Sequence, residues 1–319
     1  MKRTLIALLA SLMVLSSVFA GGAAEQTAAT QDVALGSQAV EITFWHSASD
    51  EAGVLMDKYI KTFNETNPYQ IKVNAIYQGQ YSDATTLMKT IISAENYKEL
   101  PDIMQLDATG KVDYFNSGKA WTVDDAIKEM NDDISGDYMG AAIGNWQFQG
   151  VQLGLPFASS TTITFYNKTL LKEAGWDRIP DTFEDLIQLR KDMDKAGITA
   201  ATYGSVPSTP TLANWLGQLG SYVVNNSNGA DATATKLECI DNGALETFLT
   251  EWKAMYDAGA VVNQSLSTNQ FINEEVVVLT TSSSNVTPLL EKVNGKFEVA
   301  AGPFIRVNSS ASYGATVSG

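Results

Sequence analysis

The chain has 319 residues, with 36 acidic against 21 basic side chains and a formal net charge of −15. That balance speaks against nucleic acid and anionic membrane as partners and favours solubility in an exported compartment. A single cysteine, Cys239, and a single histidine, His46, exclude an internal disulfide and leave any zinc cluster to carboxylates alone.

Lys2 and Arg3 precede the apolar run Leu5 to Leu15, and Val18-Phe19-Ala20 offers small residues for cleavage, so residues 1–20 read as a secretory signal peptide. The run is too short for a membrane anchor, and Ala20, Gly21 and Gly22 stand where a lipoprotein needs a cysteine. Removing Lys2 and Arg3 takes the 21 basic residues to 19 against 36 acidic ones, a mature charge of −17. Residues 21–40, rich in Ala, Gln, Thr and Ser, bury too little surface to offset their ordering entropy and read as a flexible tether. The rest of the chain is longer than one core usually supports, so two lobes are expected.

Strands and helices then alternate. Glu41-Ile42-Thr43-Phe44-Trp45 predicts a strand, and Leu55, Tyr59 and Phe63 give a helix from about Ala52 to Asn64 that Asn67-Pro68 ends. Ile71 to Ala75 alternates as a strand, Ala84, Leu87, Met88, Ile91 and Ile92 share one helix face, and Pro101 opens a strand from Ile103 to Leu106. This order implies a mostly parallel, right-handed α/β lobe. Asp124-Asp125 and Asp132-Asp133 could in principle bind calcium, but they suit helix ends on a solvated face better. Leu155-Pro156-Phe157-Ala158-Ser159-Ser160 reads as a crossing point, because Pro156 cannot donate to a central ladder. Beyond it Asn167 is placed to cap a helix that Gly175 terminates. Thr182 with Asp185 resembles a capping box for a helix to about Ala196, with Gly197 at its end. Leu245, Phe248, Leu249, Trp252, Met255 and Tyr256 form an amphipathic stripe closed by Gly259 and read as core. Glu275 to Thr280 predicts a buried strand, with Thr281-Ser282-Ser283-Ser284 and a helix around Leu289 after it.

The order Pro-Phe-x-Ser-Ser, a strand ending Tyr166-Asn167-Lys168 and a short helix ending Ala174-Gly175 resembles the extracellular solute-binding proteins of ABC importers, in the branch that binds sugars and glycerol phosphates. The resemblance runs from residue 41 to the last residue. Members of that family continue further, so the chain resembles a C-terminally truncated copy. The resemblance implies an α/β periplasmic binding protein of type II, with two lobes joined by a multi-strand hinge and a ligand cleft between them. Lobe 1 would comprise 41–157 and 285–319, and lobe 2 would comprise 158–284 without its C-terminal part. It further implies a monomeric periplasmic protein that captures a carbohydrate or glycerol-3-phosphate-like solute by hinge closure and delivers it to a permease energised by a partner ATPase, with no cofactor.

The same resemblance implies the site residues. Tyr81, after Gly79-Gln80, stands where the glycerol-phosphate branch uses a Tyr, and Asp107 stands where it uses a Glu. Ser159 or Ser160 at the first crossing, Ser283 or Ser284 at the second and Gly319 at the third match polar or backbone contacts. Trp215, beyond Pro207-Ser208-Thr209-Pro210, is either a stacking platform for a sugar or a core residue. Trp45 either lines the cleft or packs, and each serine could equally serve hinge and turn bonding. Asp107 could alternatively cap the segment reaching Gly110.

Catalytic readings are weaker. A Ser-His-Asp triad would need His46, yet no Gly-x-Ser-x-Gly elbow presents a nucleophile, and His46 reads as a cleft-edge or packed residue. No phosphate-cradling glycine loop appears. Catalytic residues and a metal site are therefore not expected. A secreted carbohydrate-active enzyme, or an input module reporting ligand to a receptor, are the competing readings.

Overall fold

A computed structural model describes residues 39–107, 110–314 and 317–318. The expected signal peptide, nearly all of the tether, and Gly319 lie outside the described residues. The described chain forms two compact units, passing from unit 1 to unit 2 between Phe157 and Ala158.

Unit 1 is built on β1 (Val40–His46), α1 (Asp50–Thr66), β2 (Ile71–Tyr77), α2 (Tyr81–Ser93) and β3 (Ile103–Met104). The sheet order is β2-β1-β3, and both pairings are parallel, with Val40 opposite Ile71 and Phe44 opposite Ile103. Parallel pairing needs a covered sheet. Met56 and Phe63 of α1 supply that cover against Ile42, Phe44, Ile71 and Val73. Two asparagines set how α1 meets β2. Asn67 accepts from the backbone N–H groups of Tyr69 and Ile71 and donates to the carbonyls of Phe63 and Ile71. Asn64 exchanges both its amide groups with Val73. Met88 of α2 packs with Leu106 and Trp146 in a second small cluster. Further along, Thr122 caps the helix Val123–Met130 in a reciprocal box with Asp125, so Asp124 and Asp125 sit in a first turn, where a helix favours negative charge.

Unit 2 centres on β6 (Ser160–Asn167), counting the short hairpin strands Gln147–Phe148 and Val151–Gln152 of unit 1 as β4 and β5. Its other strands are β7 (Ala201–Gly204), β8 (Val261–Val262), β9 (Val276–Ser282), β10 (Val299–Gly302) and β11 (Val317–Ser318). The order is β10-β6-β9-β7-β8, with β11 also on β6. β6 runs antiparallel to β9, β10 and β11, whereas β7 is parallel to β8 and β9. Successive residues of β6 face opposite ways. Tyr166 enters a large core with Phe183, Leu186, Trp215, Phe248 and Phe304, and Phe165 enters a second with Phe271, Leu289, Val293 and Phe297. Helices therefore cover both faces of this sheet.

The capping expectations can be read atom by atom. Asn167 Oδ1 accepts from Leu170 N at 3.0 Å, Thr182 Oγ1 accepts from Asp185 N at 3.2 Å, and Gly197 ends its helix at φ 74°, a value an L side chain adopts only with strain. Two expectations need correction. The described residues of 285–318 do not return to the first lobe: β10 pairs with β6, Leu289 and Val293 pack on Phe165 and Phe271, and Phe304 and Ile305 enter the main core, all in unit 2. The stripe on the helix Ala244–Asp257 is also only partly core. Phe248 and Met255 are buried, but Leu249 and Tyr256 are more than half exposed, since the apolar arc is wider than the contact the helix makes. Among the described residues no helix is long and apolar enough to cross a membrane.

Candidate solute-binding site

The three parallel strands of unit 1 end together, and each carboxyl end delivers polar side chains. β1 ends in His46 and Ser47, β2 leads through Gly79 into Tyr81 at the start of α2, and β3 leads to Gln105 and Asp107. The carboxyl edge of a parallel α/β sheet is where loops present ligand contacts. Gly79 makes the approach possible. It sits at φ 81°, and a Cβ there would lie 2.5 Å from Asp83 Oδ2, the carboxylate that closes the helix start by accepting from Gln80 N at 2.8 Å.

Tyr81 is half-buried, and its Oη accepts from Gln105 Nε2 at 3.0 Å. Burial pushes its phenol above the ordinary value, and the nearby Asp107 carboxylate adds to the shift, so the proton is retained. Asp107 also accepts from Gly110 N at 3.2 Å, so it holds that backbone as well as acting on Tyr81 through its charge. His46 is buried, 5.8 Å by ring centroids from Phe44 and 5.9 Å from Tyr77. Burial lowers its pKa, against Asp57 and a backbone bond at Ala48. Trp45 is buried in the same strand. His46 Nδ1, Ser47 Oγ and Thr85 Oγ1 are buried and find no partner among the described residues.

In unit 2 the paired serines meet at one end of β6 and β9. Ser160 opens β6, and Thr162 lies opposite Ser282. Ser283 Oγ accepts from Thr161 N at 3.1 Å, which ties the two strand ends together. Ser284 Oγ donates to Ser282 Oγ at 2.9 Å, and Ser159 is exposed in the bend before β6. Ser283 and Ser284 thus hold local turn and strand bonds.

Trp215 does not offer a face to a ligand. It is 0 % exposed, its ring is stacked on Phe248 and on Phe304 with centroids 5.2 and 5.1 Å away, and its Nε1 donates to Ile305 O at 3.2 Å. An indole with its N–H satisfied and its faces covered is core. Gln105 is the residue that sequence reasoning missed. Its signal was its place, directly after β3 and two positions before Asp107.

The chain resembles several known proteins. It is 26% identical over 291 residues to the sn-glycerol-3-phosphate-binding periplasmic protein UgpB of Shigella flexneri, a match covering 87% of this chain and 64% of that protein. The counterpart from Yersinia pestis is 25% identical over 288 residues, covering 88% and 64%. The chain therefore spans 64% of the length of these curated relatives. Among solved structures, the GacH receptor of Streptomyces glaucescens, studied unliganded and with acarbose, superposes with a TM-score of 0.69 at 16% identity, over 88% of this chain and 70% of that one. UgpB of Mycobacterium tuberculosis, in complex with glycerophosphocholine, gives 0.68 at 18% identity, over 89% and 69%. The shared architecture is the mixed α/β fold of type II periplasmic binding proteins. Residues 58–317 match the family described as bacterial extracellular solute-binding protein, and the chain belongs to that family.

Proposed function

We propose that the chain is the solute-capturing component of an ABC importer, acting as a monomer in the periplasm and delivering a carbohydrate or glycerol-3-phosphate-like solute to a membrane permease. The observation that carries this reading is the Tyr81–Asp107 pair at the carboxyl edge of the unit 1 sheet, beside buried polar atoms without a partner among the described residues. Hydroxyl-rich solutes need fixed donors and acceptors to replace lost water. The glycerol-phosphate-binding relatives and the acarbose-binding structural neighbour support this solute class. Ser159, Ser160, Ser283 and Ser284 are the contacts proposed from unit 2, and Gly319, outside the described residues, is a further one.

Calorimetric titration of the full-length protein with maltose, glycerol 3-phosphate and glycerophosphocholine tests the reading, and binding only of amino acids or peptides would contradict it. An ionised carboxylate accepting from a hydroxyl contributes about 1.5–3 kcal/mol, so Asp107→Ala should weaken the bound solute by roughly tenfold to a hundredfold, and Asp107→Asn by less. Asp107 also bonds Gly110 N, so melting temperature is measured on the same variants. A lowered melting point with unaltered affinity would leave Asp107 only its loop-bracing role.

A further inference from the structure

We infer that Gln105 is a positioning residue that fixes Tyr81 as a hydrogen-bond donor, so that the unit 1 pair Tyr81–Asp107 reads a ligand hydroxyl rather than an anionic group; this rests on the solute-binding reading above. The orientation of the Gln105 amide is forced by its other partner. Ser47 N meets Gln105 Oε1 at 3.0 Å, and a backbone N–H can only donate, so the carbonyl end faces Ser47 and the NH2 end faces Tyr81. Gln105 Nε2 therefore donates to Tyr81 Oη at 3.0 Å. One lone pair of the phenol is occupied, and its own proton is turned away from Gln105. Burial and the Asp107 charge keep that proton on the oxygen. The edge thus presents a donor from Tyr81 within electrostatic reach of an acceptor carboxylate on Asp107. A hydroxyl satisfies both at once, accepting from the phenol and donating to the carboxylate. A phosphate or carboxylate oxygen can only accept and would meet Asp107 as a like charge. The backbone reinforces the geometry, since Gln105 N donates to Trp45 O at 2.8 Å and holds Gln105 in register with the end of β1.

Gln105→Glu is the informative variant. Its carboxylate can still accept from Ser47 N, but towards Tyr81 it can only accept, so the phenol must turn its proton to residue 105 and offer the ligand lone pairs alone. With neutral maltose as probe, Gln105→Glu should weaken binding at least tenfold, and Gln105→Ala less, because the phenol is then free to rotate. Placed on Tyr81→Phe, Gln105→Glu should cost no more than about a further twofold, the non-additivity of residues acting through one group. A ligand-independent readout accompanies these titrations. The full-length protein labelled at tyrosine Cζ is observed by NMR, with the Tyr81 signal assigned by its loss in Tyr81→Phe. Gln105→Glu should move that signal as the oxygen changes from accepting to donating. An unmoved signal overturns the inference. A moved signal with unchanged maltose affinity removes the positioning role. If the wild-type protein binds neither maltose nor a glycerol phosphate, the solute-binding reading fails separately, and the Tyr81 signal still decides whether Gln105 directs the phenol.

Discussion

Unit 1 rests on three parallel strands and two small apolar clusters, whereas unit 2 wraps two helical layers around a mixed sheet whose core holds Phe183, Trp215, Phe248 and Phe304. The unsatisfied polar atoms divide differently. Among the described residues of unit 2 they are Arg190 Nε and Arg306 Nε, on guanidinium groups whose other nitrogens are bonded to backbone carbonyls and, for Arg306 Nη2, to the Asp181 carboxylate. In unit 1 they include His46 Nδ1, Ser47 Oγ and Thr85 Oγ1, at or beside the carboxyl edge of the sheet. A buried polar atom without a partner costs stability, and a bound solute would offset that cost at the edge proposed as the site. Trp215, Phe248 and Phe304 of unit 2 are committed to packing, and the residues proposed for recognition in unit 1 are polar.

The largest effect that would break this contrast is at Trp215. Trp215→Ala should lower the unfolding free energy by about 3–5 kcal/mol, read by urea denaturation, because it leaves a cavity between Phe248 and Phe304 and leaves the Ile305 carbonyl with Gln218 Nε2 as its remaining donor. A loss under about 1 kcal/mol accompanied by weaker maltose binding would restore Trp215 as a ligand platform.

A smaller effect sharpens the same picture at Asn167, which is buried, caps its helix through Leu170 N and donates to Glu274 Oε2 at 3.3 Å. Asn167→Ala should cost about 1–2 kcal/mol, read by the same denaturation. Asn167→Asp should recover part of that through the cap alone, although it sets a charge beside Glu274.

The smallest effect tests unit 1. His46 is the chain's one histidine, and burial holds its folded pKa below the ordinary 6.5. The unfolded chain then takes up the proton more readily than the folded one. The His46 contribution is fully present above pH 6.5 and is lost as pH falls through that value towards the folded pKa. Urea denaturation from about pH 7.5 to about pH 5 should show this decline, and His46→Gln should flatten it. An unchanged slope in the variant would mean that carboxylates, not His46, set stability in that window.

Local features were legible because they depend on near neighbours in the chain. Asn167, Thr182 and Gly197 mark helix ends through the φ values and side-chain reach of single residues, and the alternation of Ile71 to Ala75 marks a strand by its period. The placing of Tyr81 and Asp107 at strand ends came from element order. Partner choice did not, since it is decided by which distant surfaces meet. Nothing near Trp215 in the sequence announces Phe248 and Phe304, so an aromatic beyond a proline-containing loop reads equally as platform or core until packing is known. Residues 285–318 likewise carry ordinary helix and strand patterns, and only the pairing of Val299 to Gly302 with Thr164 to Asn167 assigns them to unit 2. Gln105 lies between these cases. Its position two residues before Asp107 was readable, but the direction of its amide depends on Ser47 N, 58 residues away along the chain, a long-range hydrogen bond that tertiary structure alone supplies.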